Sequence, residues 1–230
     1  MMSEGPIRAL AALDDELRRS MYAFIRQARR PVTRDEAAAS AGISRKLAAF
    51  HLDKLVAAGL LRARYEFVGE RRGAGRTPKV YEPSGEEVRV SIPPRHHDLL
   101  ADILLGAVLD EGERETARDA ALRVARERGR AVGTAERERT RPGRLGAERA
   151  LTVATDVVER HGFEPSRESP VCVRLRNCPF HPLAAREPAV VCGINQSFLG
   201  GLLDGLDAAS VEAALEPRAG ECCVELRARS

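Results

Sequence analysis

The chain has 230 residues, of which 43 % are hydrophobic and 31 % charged. That is enough for one large domain or two ordinary ones, and too apolar for a chain disordered throughout. Aromatics make up only 4 %, with no Trp, so the core must be built mainly from Leu, Val and Ala. No apolar run reaches the ~18 residues of a membrane span, and no signal-peptide pattern opens the chain. These features point to a cytoplasmic protein with no membrane partner.

The net charge of +3 is unevenly placed: residues 1–90 hold 17 Lys+Arg against 12 Asp+Glu, and residues 91–230 hold 20 against 22. The N-terminal part is therefore the basic one, as expected of a segment that meets phosphate.

The first apolar repeat, Leu13, Leu17, Met21, Phe24 and Ile25, predicts an amphipathic helix over 13–29, ended by Pro31. Thr33 suits the N-cap of a short helix reaching Ala41, with Asp35 and Glu36 favourably placed in its first turn. Gly42 permits a sharp turn. Ser44 then caps a helix that runs to about Ala58, before Gly59 stops it. Two capped helices joined by a tight glycine turn are the signature of a helix-turn-helix. Strand-like residues 60–68, the basic GERRGAGRTPK of 69–79 and a short strand at 80–82 then predict a β-hairpin, the wing.

In the helix that starts after Ser44, Ala48, Leu52 and Leu55 share one face and should be buried. The opposite face carries Arg45, Lys46, Ala49 and Phe50. Residues at the start of such a helix reach base edges in the major groove, and Arg45 is the candidate for bidentate contact with guanine. Lys46 suits a phosphate, and Ala49 and Phe50 a thymine methyl or a sugar. Thr33, Ser44 and Lys54 complete the DNA-facing set on the helices. Arg71, Arg72, Arg76 and Lys79 are expected to make backbone contacts from the hairpin tip, one Arg entering the minor groove. His51 lies at the edge of the buried face and reads as structural or phosphate-contacting.

Pro93 and Pro94 mark a boundary. Residues 95–111 predict a strongly amphipathic helix (Leu99, Leu100, Ile103, Leu104, Val108) that could pair with its own copy and set half-site spacing in a homodimer. A charged helix over 113–131 and a mobile connector over 132–146 follow. The tail alternates a helix at 147–162, a strand near 171–176, helices across 181–206, and strands near 211–216 and 222–228. The expected fold is α+β and mainly helical: a winged helix-turn-helix over 1–92, dimerisation helices and connector over 93–146, and an α+β sensor domain over 147–230.

All five cysteines lie in the last third: Cys172, Cys178, Cys192, Cys222 and Cys223. In a reducing compartment, clustered cysteines more often serve as metal ligands or redox thiols than as disulfides. Cys178, Cys192 and Cys222 lack the short CxxC spacing of a zinc ribbon, so they can meet only through the fold. His181, three residues after Cys178, offers a nitrogen. If Cys222 and Cys223 lie in a strand they face opposite ways, leaving one for the core. Cys172 reads as a small buried hydrophobe. Three thiolates and a fourth ligand suit an iron–sulfur cluster, and the same set could bind zinc. An organic ligand between helices near Leu199 and Leu203 is a further possibility for the signal. There is no CxxC redox motif, GxSxG elbow, phosphate loop or paired-carboxylate motif, so no enzyme is expected.

The stretch ISRKLAAFHLDKLVAAGLL followed by GRTPKVY resembles the ArsR-like winged-helix regulators over about residues 13–85. The pattern NCPFHPLA, VCGINQSFLGGLLDGL and CCVEL resembles the C-terminal domain of the SufR-type repressors, which hold an iron–sulfur cluster. The first resemblance implies double-stranded DNA as the partner, and the second implies that Cys178, Cys192 and Cys222 are cluster ligands. Some relatives carry another cysteine between the second and third positions; this chain has none there. His181, Cys223, an outside carboxylate or a small molecule is left as the fourth ligand.

Overall fold

The computed structural model describes residues 4–66, 77–110, 112 and 115–229. The chain divides into two compact units between Val90 and Ser91.

The N-terminal unit opens with helix α1 (Glu4–Ala12), then α2 (Glu16–Ala28), strand β1 (Val32–Thr33), helices α3 (Arg34–Ser40) and α4 (Arg45–Ala57), and strands β2 (Leu61–Tyr65) and β3 (Lys79–Pro83). The helix expected from residue 13 begins later, because Asp15 caps α2 by accepting from the Arg18 backbone N–H at 2.9 Å. Helix α1 was not expected; it is short and buries Ala9. The sheet order is β1-β3-β2, antiparallel throughout. Met21, Ile25, Val32, Ala37, Ala48, Leu52, Leu55 and Tyr81 form its core.

The C-terminal unit contains α5 (His97–Leu109), α6 (Ala117–Thr140), α7 (Ala147–Arg160), strands β4 (Pro165–Ser169) and β5 (Cys172–Leu175), the short α8 (Leu183–Arg186), α9 (Pro188–Gly205), and strands β6 (Val211–Leu215) and β7 (Val224–Ala228). Its antiparallel sheet runs β4-β5-β7-β6. One core joins Leu100 and Ile103 of α5, Val124 of α6, Leu151 and Val158 of α7, Phe198 and Leu202 of α9 and Val173, Val224 and Leu226 of the sheet. Residues 93–146 therefore share a core with 147–230 rather than standing apart.

The connector expected over 132–146 is corrected. Helix α6 continues to Thr140 and ends where Arg141 takes a left-handed conformation. Gly129 and Gly133 look like helix breakers in sequence, but they are where α6 meets α9. A Cβ on Gly129 would stand 1.9 Å from the Phe198 carbonyl oxygen, and one on Gly133 2.1 Å from that of Leu202. Gly201 and Gly205 of α9 answer them, with a Cβ 2.0 and 2.2 Å from the carbonyls of Arg126 and Arg130. Backbone packs on backbone along both helices, and the surplus charge of α6 lies on the outer side. Glu136, buried at the far end, is paired with Arg139 (2.7 Å) and Arg160 (2.8 Å).

Candidate nucleic-acid interface and thiol centre

In the N-terminal unit, α3 is held by a capping box. The Thr33 hydroxyl accepts from the Glu36 N–H at 3.3 Å, and Glu36 Oε2 accepts from the Thr33 N–H at 2.8 Å. The Thr33 hydroxyl is thus committed to fixing the helix start. Gly42, at φ +64°, makes the left-handed step that turns the chain into α4. Ser44 caps α4 by accepting from the Leu47 N–H at 3.3 Å.

Ala48, Leu52 and Leu55 are fully buried, as their spacing predicts. Arg45, Lys46, Leu47, Phe50 and Lys54 are exposed, and Ala49 is half-buried among them. The face therefore presents three cations around an exposed apolar pair, Leu47 and Phe50. Lys54 Nζ lies 5.6 Å from the Phe50 ring centroid. Arg45 pairs with Asp35 on α3; at 72 % and 59 % exposure this pair is solvent-screened and readily exchanged. Leu47 was missed in the sequence because the repeat marks only the buried side.

Lys79 is less free than expected: its Nζ sits 2.9 Å from Asp53 Oδ1 and 5.3 Å from the Tyr81 ring centroid. The Arg71, Arg72 and Arg76 expectations lie outside the described residues. His51 is buried, with Nδ1 3.8 Å from Asp15 Oδ1, which favours its structural reading.

In the C-terminal unit, Cys178, Cys192 and Cys223 line a cleft of about 520 Å³ together with His181, Arg95, Arg176 and Glu221. Cys222 lies beneath it, fully buried. The thiols lie near enough to influence one another, Cys178 with Cys222 and Cys192 with Cys223, with Cys222 and Cys223 adjacent in the chain. Contact with Cys222 and burial push the Cys178 thiol up, while the backbone N–H groups of Phe180 and His181 pull the other way. Contact with Cys178 lowers Cys222, but Cys223 and burial outweigh it and carry Cys222 up to about 11. Burial raises Cys192, against a lowering contact with Cys223. Burial and close approach thus disfavour the thiolate forms of Cys178, Cys192 and Cys222, and a cation bound among them would offset this.

Three elements bring the thiols in. Cys178 follows β5 in a loop whose His181 N–H donates to the Cys178 carbonyl at 3.1 Å. Cys192 lies in the first turns of α9. Cys222 is fixed by its N–H donating to the Leu175 carbonyl at 2.9 Å. The turn before it is anchored by Glu221, which pairs with the fully buried Arg174 at 3.0 Å. Arg174 also pairs with Glu225 at 2.9 Å, so its buried charge is compensated. The expected strand over 222–228 starts only at Val224. Cys222 and Cys223 precede it, so the alternation of a strand does not apply to them; Cys222 is buried beneath the cleft and Cys223 lines it.

The donor chemistry fits a thiolate-bound group. Asn195 Nδ2 donates to Cys222 Sγ at 3.1 Å, and Asn195 Oδ1, fully buried, has no hydrogen-bond partner among the described residues. The N–H groups aimed at Cys178 and Cys222 favour charged sulfur. Among the described residues, no three His, Cys, Asp or Glu side chains are gathered closely enough to hold a single metal ion as they stand. Cys172, expected in the core, is instead half-buried in β5 and borders Glu225 and Glu168. Leu199 and Leu203, the suggested walls of an organic-ligand site, are packed in the core.

The cysteine loop is fastened to the start of α5. Arg95 Nη1 donates to the Cys178 carbonyl at 3.2 Å and also to Asn177 Oδ1. The His96 N–H donates to the Pro179 carbonyl at 3.0 Å, and His97 Nε2 meets the His181 carbonyl at 2.9 Å. Asn177 Nδ2 donates to the carbonyls of Pro94 (3.0 Å) and Gly162 (2.6 Å). On α5, Leu100, Ile103 and Ala107 face the core, while Leu104, Leu105, Val108 and Leu109 are 42 to 73 % exposed. No protein-family model matches the chain, and no curated protein matches it. No helix among the described residues is long and apolar enough to cross a membrane.

Proposed function

We propose that the chain is a DNA-binding transcription regulator whose affinity is set by a thiolate-bound centre in its C-terminal unit, an iron–sulfur cluster held by Cys178, Cys192 and Cys222. The observation that carries the DNA-binding part is the exposed, cationic start of α4 standing off a fully buried Ala48, Leu52 and Leu55 face. In this reading α2, α3 and α4 with the antiparallel β2–β3 pair would make a winged helix-turn-helix, and α4 would be the helix that enters the major groove. Arg45 would read a base edge, Lys46 and Lys54 would take phosphates, and Ala49 leaves room for close approach. Ser44 and Thr33 serve by fixing the starts of their helices.

The sensing part is supported by the gathering of thiols from a loop, a helix start and a turn. A bound cluster would supply positive charge to those sulfurs and fasten the three elements together. Arg95, His96 and His97 would carry a change in the Cys178 loop to α5. The exposed Leu104, Leu105, Val108 and Leu109 suit a second copy of the chain, because two such faces are self-complementary about a two-fold axis. A dimer would then match two half-sites, and a shift of α5 would change their spacing.

Selection of bound sequences from random duplex DNA by the full chain tests the reading. Enrichment of a near-palindromic motif, lost on Arg45→Ala, is the expected result. Salt-sensitive binding with no enriched motif would overturn it.

A further inference from the structure

We propose that Cys223 is the fourth thiolate of the centre, so that Cys178, Cys192, Cys222 and Cys223 ligate it together and His181 does not. This rests on the reading of the thiol cleft as a cluster site. Four cysteines are the ordinary ligand set of two-iron and four-iron clusters, and with Cys172 set apart in β5, four remain in this chain.

Geometry singles out Cys223. Residues 222 and 223 lie in the irregular segment ahead of β7 rather than in the strand, so adjacent side chains need not face opposite ways. The Glu216 N–H donates to the Cys223 carbonyl at 2.8 Å while the Cys222 N–H donates to the Leu175 carbonyl at 2.9 Å, which pins both backbones. Cys223 is half-buried and lines the same cleft as Cys178 and Cys192, next in the chain to the buried Cys222.

His181 lines the rim of that cleft and is exposed. Its carbonyl, held by His97, ties the loop to α5, which makes it an anchor point. The cleft wall sets Arg95 and Arg176 against Glu164 and Glu221, with Arg176 paired to Glu221. A fourth thiolate is also the softer match to iron than an imidazole.

The test uses the full chain, purified anaerobically and loaded with ferrous iron and sulfide. Iron and sulfide per chain, the sulfur-to-iron charge-transfer absorbance and the rate of loss to a chelator are read for the wild type, C223S, H181A and C172S. H181A and C172S should match the wild type. C223S should lose its iron at least about tenfold faster, a loss as large as those seen on removing outer-shell partners of metal sites. C223S loading and holding iron like the wild type would overturn the proposal while leaving the cluster reading intact. A wild type that takes up neither iron nor sulfide would overturn both. Thiol alkylation of the wild type, read residue by residue, covers the case in which C223S fails to fold. Loading should protect Cys223 together with Cys178 and Cys192 and leave Cys172 unchanged, whereas equal labelling of Cys223 with and without the loaded group would overturn the assignment.

Discussion

Arg95 donates from Nη1 to the carbonyl of Cys178 at 3.2 Å, joining the residue two places before α5 to the first cysteine of the thiol cleft. The same guanidinium reaches Asn177, so one side chain fixes two consecutive residues of the loop. In the proposed regulator it is the most direct link between the centre and the helix offered for pairing. Arg95→Ala should leave loading with iron and sulfide intact but uncouple it from DNA affinity. Where the wild type changes affinity by the ~5- to 150-fold typical of coupled sites, the variant should approach no change. Affinity titrations of both proteins, loaded and stripped, check this.

Replacing Arg45 with Ala should weaken specific DNA binding by ~1–3 kcal/mol and relax preference at one base pair. Its exposed partner Asp35 contributes little to stability, so the thermal midpoint should hardly move. Competition between the selected site and single-base variants reads both effects.

The α6–α9 contact leaves no room for a methyl group. Gly129→Ala would drive a Cβ to 1.9 Å from the Phe198 carbonyl oxygen, and because that neighbour is backbone, the helices must separate. A loss of ~3 kcal/mol or more is expected, at or above the upper range of overpacking. Gly200→Ala is the contrast: its Cβ meets only the guanidinium end of Arg126, at 3.3 Å. There the gain in helix propensity, ~0.5–1 kcal/mol, should show. Chemical denaturation of both variants separates the two cases.

If α5 pairs two copies as proposed, Leu105→Asp with Val108→Asp on its outer face should leave the chain monomeric. Both side chains are more than half exposed, so the isolated fold should keep its helix content. Sedimentation velocity measures the change in mass. DNA affinity should fall sharply, since each half-site would then be bound alone.

Glu36 gives a pH dependence with a definite sign. The hydrogen bond from Arg30, opposed by partial burial and helped by the Thr33 N–H, lowers its carboxyl from an ordinary 4.5 to about 2. A depressed folded-state value means that the stabilisation is complete above the unfolded value and is lost as pH falls through the folded one. The N-terminal unit should therefore lose stability between about pH 4.5 and pH 2. Glu36→Gln should be less stable than the wild type at neutral pH and close to it at the acid end. Thermal melts across that window test it.

Much of the N-terminal unit was legible because its signals are local. Thr33, Gly42, Ser44 and Gly59 mark the helix ends, and the Ala48, Leu52 and Leu55 spacing gives the buried face. Strand β1 was not legible, because two residues carry no period and Val32 is a strand only through its pairing with Tyr81. The length of α6 was hidden for a related reason: the Gly, Thr, Pro and charges of 132–146 read as a connector, yet Gly133 is useful only against α9, which lies far along the chain. The cysteine centre was half legible. The residue types were visible, but the role of Cys223 depends on where β7 begins, and the parts of Arg95 and Asn195 depend on contacts that no spacing in the sequence encodes.

The central claim is that one chain reads DNA and lets a thiolate-bound centre set how tightly. An anaerobic titration of the selected DNA site with the full chain, first loaded with iron and sulfide and then stripped, tests it most directly. Sequence-specific binding in at least one form is expected, with an affinity change of ~5-fold or more between the two. Equal affinity for the selected site and random DNA in both forms, or equal affinity for the selected site loaded and stripped, would overturn the proposal.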